Sequence, residues 1–329
     1  MNLRLLVQLV ASVVTNANLK GFFTGKIYDG VLKRGCVPTL NCYSCPGALF
    51  SCPVGAAQVT LTSGGTAEPA GPVPTLRERL WNVLSGTPWF ILGFMTVVGA
   101  LAGRATCGWL CPFGLLQDLL HRLPTPKWRP PKAMRLLKYL CLVVLVVLMP
   151  LFWVDSFGYS EPAYCKYLCP AGTLQGGILL PLLNPDLRGV LGKLFAWKMT
   201  VLLLFLAAMV FVARPFCSWA CPIGAFLAPF NRASLLRLQV EADRCVKCGA
   251  CRKVCVAGLD PVTELDSGDC VRCLECARVC PLHLIHAEAP FLPAPTRTRP
   301  DGAQPGGAQP GGAQPATVSD TSAPTADSH

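Results

Sequence analysis

Four stretches of the chain are apolar over lengths that a bilayer demands, since a spanning helix needs about 20 largely uncharged residues. They cover roughly residues 3–23, 81–102, 134–154 and 195–213. The last three run nearly unbroken. The first is interrupted by Gln8, Asn16, Asn18 and Lys20. It lacks the basic lead and small-residue cleavage site of a signal peptide, so it reads as a span, with an interfacial amphipathic helix as the alternative.

Between these stretches the polar residues are unevenly charged. Arg104, Arg122, Lys127, Arg129, Lys132, Arg135 and Lys138 follow the second stretch, and the region after the fourth is also basic. The loop between the third and fourth holds Lys166, Arg188 and Lys193 against Asp155, Glu161 and Asp186. The positive-inside rule therefore puts the first two regions and both termini in the cytoplasm and that loop outside. Lys20, Lys26, Lys33 and Arg34 run against the bias in the first outer loop. The expected location is a bacterial inner membrane, crossed several times.

Composition agrees with that reading. Only 14% of the 329 residues are charged and 52% are hydrophobic, with a mean hydropathy of +0.44, which is not the balance of a soluble globule. The net charge of +11 gathers beside membrane ends instead of on one soluble face, so no nucleic-acid partner is expected. From about residue 290 the chain turns to GAQPGGAQPGGAQP and then Ser, Thr, Ala and Asp, too poor in apolar residues to fold. Three parts follow: a membrane domain at 1–230 with repeated Cys-Pro motifs, a cysteine-rich module at 231–289, and a disordered tail at 290–329. The fold class is mainly α, a polytopic membrane bundle of about four spans bearing a C-terminal two-cluster module of bacterial-ferredoxin type.

The module carries the most specific chemistry. Cys245, Cys248, Cys251 and Cys255, then Cys270, Cys273, Cys276 and Cys280, repeat C-x2-C-x2-C-x3-C, the spacing that holds a cubane iron-sulfur cluster, with the fourth cysteine of each run serving the other cluster. On that rule Cys245, Cys248, Cys251 and Cys280 hold one [4Fe-4S] centre, and Cys270, Cys273, Cys276 and Cys255 the second. Structural zinc usually takes two short cysteine pairs set a dozen or more residues apart. Since such clusters mostly move electrons, the first expectation is electron transfer.

The membrane part repeats a second motif. Arg104, Cys107, Trp109, Cys111, Pro112 and Gly114 recur at the same offsets as Arg214, Cys217, Trp219, Cys221, Pro222 and Gly224. A third copy holds Cys165, Tyr167, Cys169, Pro170 and Gly172, and a diverged fourth holds Asn41, Cys42, Cys45, Pro46, Cys52, Pro53 and Gly55. Under four spans the copies alternate sides. Cys107, Cys111, Cys217 and Cys221 meet by the module as an additional cluster or metal site, soft thiolates suiting such a centre, or remain plain thiols at helix ends. Arg104 and Arg214 stand ready to lower the pKa of these thiols, and Trp109 and Trp219 read best as interfacial anchors. Cys36, Cys42, Cys45, Cys52, Cys165 and Cys169 fall outside, where a cluster, a redox disulfide and a structural disulfide all stay open. Cys141 reads as a small buried hydrophobe. His283 and His286 read as surface residues.

At these motifs the chain resembles the membrane-bound 4Fe-4S proteins of the NapH, NosR and CcoG group, over about residues 80 to 285 and most specifically in Cys107, Cys111, Cys217, Cys221 and the eight module cysteines. The resemblance implies a quinol-linked carrier that passes electrons between the membrane quinone pool and a partner redox protein or reductase, a component of an oxidoreductase system and not a stand-alone enzyme. Quinone would then be its substrate, entering near Arg104 and Arg214. If the outer cysteines also hold a redox centre, a hydrocarbon core of about 30 Å is too wide for one fast step, and an intermediate carrier is required. The Cys42–Pro46 segment and the extra Cys165/Cys169 pair depart from the nitrate-reductase subunit, as does Val256 where Pro usually follows the fourth cysteine.

The absences narrow the field. No histidine lies in a candidate span and no C-x-x-C-H occurs, so haem of the b or c type is unsupported. No G-x-G-x-x-G follows a strand, so a dinucleotide site is unsupported. Two other classes remain: a copper reductase or metal-handling assembly factor, with Cu(I) on the C-x3-C pairs, and a membrane redox sensor.

Overall fold

The computed structural model describes residues 3–62, 88–129, 131–153 and 161–290, with 75, 77 and 81 besides; the expected tail at 291–329 and most of 63–87 lie outside the described residues. Residues 1–293 form one compact unit.

The unit that repeats is a long helix, a Cys-Pro turn and a second helix. It appears as α1 (Leu3–Thr15) with α2 (Pro53–Thr62), α3 (Pro88–Ala102) with α4 (Pro112–Leu120), α5 (Lys132–Phe152) with α6 (170–183), and α7 (Lys193–Phe211) with α8 (Pro222–Leu227). Each second helix starts at the Pro of a Cys-Pro pair. Proline suits that first position because its missing N–H costs nothing there. Cys111, Cys169 and Cys221 act as N-caps, each sulfur accepting a hydrogen bond from the Gly three residues on, at 3.4, 3.3 and 3.4 Å.

Two of the four expected spans reach membrane length: α5 with 21 residues and α7 with 19. The other two fall short among the described residues. α1 ends at Thr15 after 13 residues, where the Asn16 amide folds back onto the Ser12 carbonyl and Asn18 donates to the Pro46 carbonyl. α3 has 15 residues and stops at Gly103, whose positive φ of 58° no helix continues. α5 is not uniform: it opens as a 3-10 turn, widens to a π-helix over Cys141–Leu148 and closes as an α-turn.

The second helices pack into the bundle. α4 lies on α1 and α7, α2 on α3 and α5, and α8 on α2, α3 and α5. Their shared core holds Phe113 and Phe205 edge-on to Phe216, at 5.0 and 5.3 Å between centroids, with Tyr164, Met209 and Leu227 buried beside them. The module is closed by antiparallel β1 (Arg237–Val240) and β2 (Ile285–Glu288), with Val240 opposite Ile285 and Arg237 opposite Glu288. Its own small core joins Leu238, Leu259, Leu265 and Ile285 to Cys251, Cys270 and Cys276.

Candidate metal centres

The module's eight cysteines fall into two groups. Cys245, Cys248, Cys251 and Cys280 line one cavity of about 290 Å³, and Cys255, Cys270, Cys273 and Cys276 line a second, much smaller one of about 20 Å³. The backbone explains the inward turn. Lys247 and Gly249 take left-handed conformations on either side of Cys248, as Arg272 and Leu274 do around Cys273, and Gly258 and His283 repeat the device three residues after Cys255 and Cys280. Left-handed backbone is costly for Lys, Arg, Leu and His, and such strain collects at functional sites. His283 thus serves this turn, while His286 pairs with Glu288 at 3.4 Å.

A third set of thiols converges at the ends of α3 and α7. Cys107, Cys111, Cys217 and Cys221 are all buried, and Cys221 lies close enough to the other three for thiolates there to repel it. The surroundings are pseudo-twofold. Arg214 donates to the Cys107 carbonyl at 3.0 Å and Arg104 to the Cys217 carbonyl at 3.3 Å. Gly114 leaves room for the Arg214 guanidinium and Gly224 for that of Arg104. Each arginine has a carboxylate, Asp118 for Arg214 and Asp269 for Arg104. Arg4 also reaches Asp118, while Lys138 and Arg135 also reach Asp269, leaving a surplus of positive charge around the thiols.

Burial dominates the titration of Cys111, Cys217 and Cys221. It pushes Cys111 up to about 12 and Cys217 upward even though Arg214 and Arg104 pull the other way, so the expected lowering by the arginines is outweighed. Burial thus keeps Cys111, Cys217 and Cys221 protonated without metal, and loading requires their protons to leave. Both guanidiniums are 1% exposed, and their terminal nitrogens bind carbonyls and carboxylates. That closes them to a quinone, contrary to the sequence expectation.

Besides Cys141, buried in α5, six cysteines remain, and they do not act alike. Cys42, Cys52, Cys165 and Cys169 line a cavity of about 450 Å³ with Gly172, Gly176 and Lys198, and a Cβ built on Gly172 would stand 3.7 Å from the sulfurs of both Cys42 and Cys169. Cys45 and Cys36 do not line it; Cys36 sits half-buried in a bridge to Ser51. All nineteen cysteines are free thiols.

The expected separation of inner and outer cysteines by a whole membrane is not what the chain builds. The Cys111 sulfur meets the backbone of Leu40, two residues from Cys42, and Tyr164 is wedged near Cys165, Cys169 and Cys221 at once. The cause is that the second helices return into the bundle. Along α5 the first set stands beside Lys138, which lies near Cys221. The second stands at Leu145, whose carbonyl accepts from Gln58 while Gln58 accepts from the Cys165 N–H. Seven residues of helix are about 10 Å.

Direct contacts tie the third set to the module. Trp109 donates its indole N–H to the Arg272 carbonyl at 3.0 Å, so it docks the module and is not a lipid anchor. Asn231 accepts from the Arg104 N–H at 3.0 Å and donates to the Ser267 and Cys270 carbonyls at 2.9 and 2.8 Å. Arg214 stands near both Cys217 and Cys273.

A cubane cluster fits the Cys245 and Cys42 sets better than a single ion, because these cysteines line cavities of about 290 and 450 Å³. Four thiolates on one zinc stand only about 3.8 Å apart at Zn–S distances of about 2.3 Å, which leaves no cavity. Among the described residues no group of three or more His, Cys, Asp or Glu closes around a single ion.

Sequence reasoning missed Asp118, Asp269, Asn231 and three glutamines. Gln58, Gln117 and Gln175 each stand six residues after a Cys-Pro cysteine, in CPVGAAQ, CPFGLLQ and CPAGTLQ. Each reaches the first cysteine of a different repeat: Gln117 the Cys217 sulfur at 3.0 Å, Gln58 the Cys165 N–H at 3.2 Å, Gln175 the Cys42 N–H at 2.7 Å. The recurrence was visible in the sequence; its partners were not.

Comparison with known proteins agrees with this chemistry. A family model described as a 4Fe-4S binding domain matches three times, at residues 86–131, 139–184 and 194–240. An uncharacterized protein of Methanocaldococcus jannaschii is 29% identical over 197 residues, 56% of this chain and 73% of its own length. The putative electron transport protein YccM of Escherichia coli is 27% identical over 181 residues, 51% of this chain and 45% of its own. The methylamine utilization ferredoxin-type protein MauN of Methylorubrum extorquens is 30% identical over 166 residues, half of each chain. The chain thus spans about half the length of these last two relatives. No solved structure matches.

Proposed function

We propose that this chain, a member of the membrane-associated ferredoxin-type electron-transport proteins of the NapH and NosR group, carries single electrons between the membrane quinone pool and a partner redox protein. The module cysteines hold its two [4Fe-4S] clusters, and Cys107, Cys111, Cys217 and Cys221 hold a further one. A bound cubane supplies one-electron chemistry, with no proton moved and no bond broken.

The observation that carries this reading is the contact between helix end and module beside Cys107: Trp109 donates to the Arg272 carbonyl at 3.0 Å, and a Cβ on Gly108 would stand 3.6 Å from the Cys273 Cα. The protein's own residues do the rest. Trp109, Asn231 and Arg272 fix the module against the helix ends, Asp118 and Asp269 orient the two arginines, and the surplus positive charge favours a thiolate-ligated, electron-rich centre. For the quinone the reading uses the part of the cavity of about 450 Å³ that is lined by apolar Leu187, Leu191 and Phe195 beside Lys198. That size and lining suit a small apolar ligand.

The test is anaerobic addition of a ubiquinol or menaquinol analogue to the protein in liposomes, followed by EPR of the module clusters. Reduction by quinol in the wild type, and its loss in Cys107→Ser/Cys217→Ser, is expected. Reduction by dithionite but never by quinol would remove the quinone link.

A further inference from the structure

The first and third repeats build a site of their own, half of it from residues 36–55, which the family model does not match. We propose that Cys42, Cys52, Cys165 and Cys169 are the four ligands of another [4Fe-4S] cluster, relaying electrons between the open cavity and the set at Cys107. The proposal rests on the electron-transfer reading above and adds a fourth station to it.

The four are chosen by geometry. They are the cysteines that line the cavity of about 450 Å³, and the sulfurs of Cys42 and Cys169 border the same point above Gly172. The glutamines give an independent sign. In the Cys107 set, Gln117 reaches across to Cys217, the first cysteine of the facing repeat. Here the exchange is reciprocal: Gln58, six residues after Cys52, holds the N–H of Cys165, and Gln175, six residues after Cys169, holds the N–H of Cys42. Cys42 therefore occupies the place of a first cysteine although nine residues separate it from Cys52. Cys45 and Cys36 receive no such contact, and neither lines the cavity.

Charge agrees. A cubane core of +2 on four thiolates carries a net −2, and Lys198, which lines the same cavity and donates its ammonium to the Cys165 carbonyl at 3.4 Å, places a positive charge beside it. Spacing agrees as well. One set stands beside Lys138 and the other at Leu145 of α5, so the two are neighbours along the same helix. Each transfer is one electron in and one electron out, with the partner set as donor or acceptor and no proton or bond change.

The test is an iron and labile-sulfide count with EPR on the full chain, purified anaerobically, for the wild type, Cys42→Ser/Cys169→Ser and Cys36→Ser/Cys45→Ser. About sixteen iron atoms are expected in the wild type, at four per cluster. The first variant should lose about four iron and four sulfide while keeping the module signals, and the second should lose none. Twelve or fewer irons in the wild type, or an unchanged count in the first variant, overturns the proposal. Should that variant not fold, Lys198→Met decides: the midpoint of one further centre falls while the module potentials stay, and no shift anywhere overturns it. Failure of the broader reading looks different, since the wild type would then hold no labile sulfide.

Discussion

Arg214 holds Asp118 at two points, Nε to Oδ1 at 2.7 Å and Nη2 to Oδ2 at 2.6 Å, with the two side chains 1% and 9% exposed. A buried pair of this kind is costly to break from one side, because the remaining charge stays in a poor solvent. Asp118→Asn is expected to destabilise the protein by about 3–5 kcal/mol, read as a lower thermal midpoint in detergent. A change within about 0.5 kcal/mol, the range of an ordinary surface substitution, would show that the pair does not hold the site together.

The same carboxylate sets a pH dependence. Burial pushes Asp118 up, but Arg214 and Arg4 outweigh it and hold the group below its usual range. A depressed native pKa contributes stability that is present above the unfolded value of about 3.9 and lost as pH falls through the native one. The difference in midpoint between wild type and Asp118→Asn is therefore expected to be full at neutral pH and to narrow below about pH 4. A gap that stays constant down to pH 3 would contradict this.

Gly108 lies where helix end and module touch. A Cβ there would stand 2.3 Å from the Val271 carbonyl oxygen, and backbone on both sides cannot yield as a side chain can. Gly108→Ala is expected to cost about 1–3 kcal/mol and to slow electron passage between Cys107 and the module. Gly189→Ala, with no neighbour within 4 Å, should do neither. Equal behaviour of the two variants in stopped-flow reduction would refute the docking.

Tyr164 is fully buried near both thiol sets, and among the described residues its hydroxyl finds no hydrogen-bond partner. An orphaned hydroxyl costs about 1–3 kcal/mol, so Tyr164→Phe should leave the unloaded protein equal or more stable. In the loaded protein a hydroxyl near sulfur stabilises the reduced cluster, and its loss should lower the midpoint potential of one centre. A less stable apo-variant with unchanged potentials would sink both parts.

Much of the module was legible in spacing, because a C-x2-C-x2-C-x3-C run is local and its turns are set by a few residues. In the folded chain Cys280 lines a cavity with Cys245, and Cys255 lines one with Cys270. Hydropathy found α5 and α7 to within two residues at each end. It overestimated α1, where Asn16 and Asn18 break the helix, since apolar content says nothing of local side-chain hydrogen bonds. The nearness of the Cys107 and Cys165 sets was not legible, because it depends on second helices turning back into the bundle. Leu40 touching Cys111 is a contact between distant repeats that no periodicity encodes. The selection of Cys42 over Cys45 was hidden in the same way, in the long-range reach of Gln175.

The most direct measurement of the central claim is an iron, zinc and acid-labile sulfide analysis of the anaerobically purified chain, joined to an EPR redox titration. The account predicts iron and sulfide in equal amounts, well above the eight of each that the two module clusters need, with reversible one-electron signals that disappear from the module in Cys248→Ser/Cys273→Ser. A preparation that holds zinc, lacks labile sulfide and gives no reducible signal would contradict it.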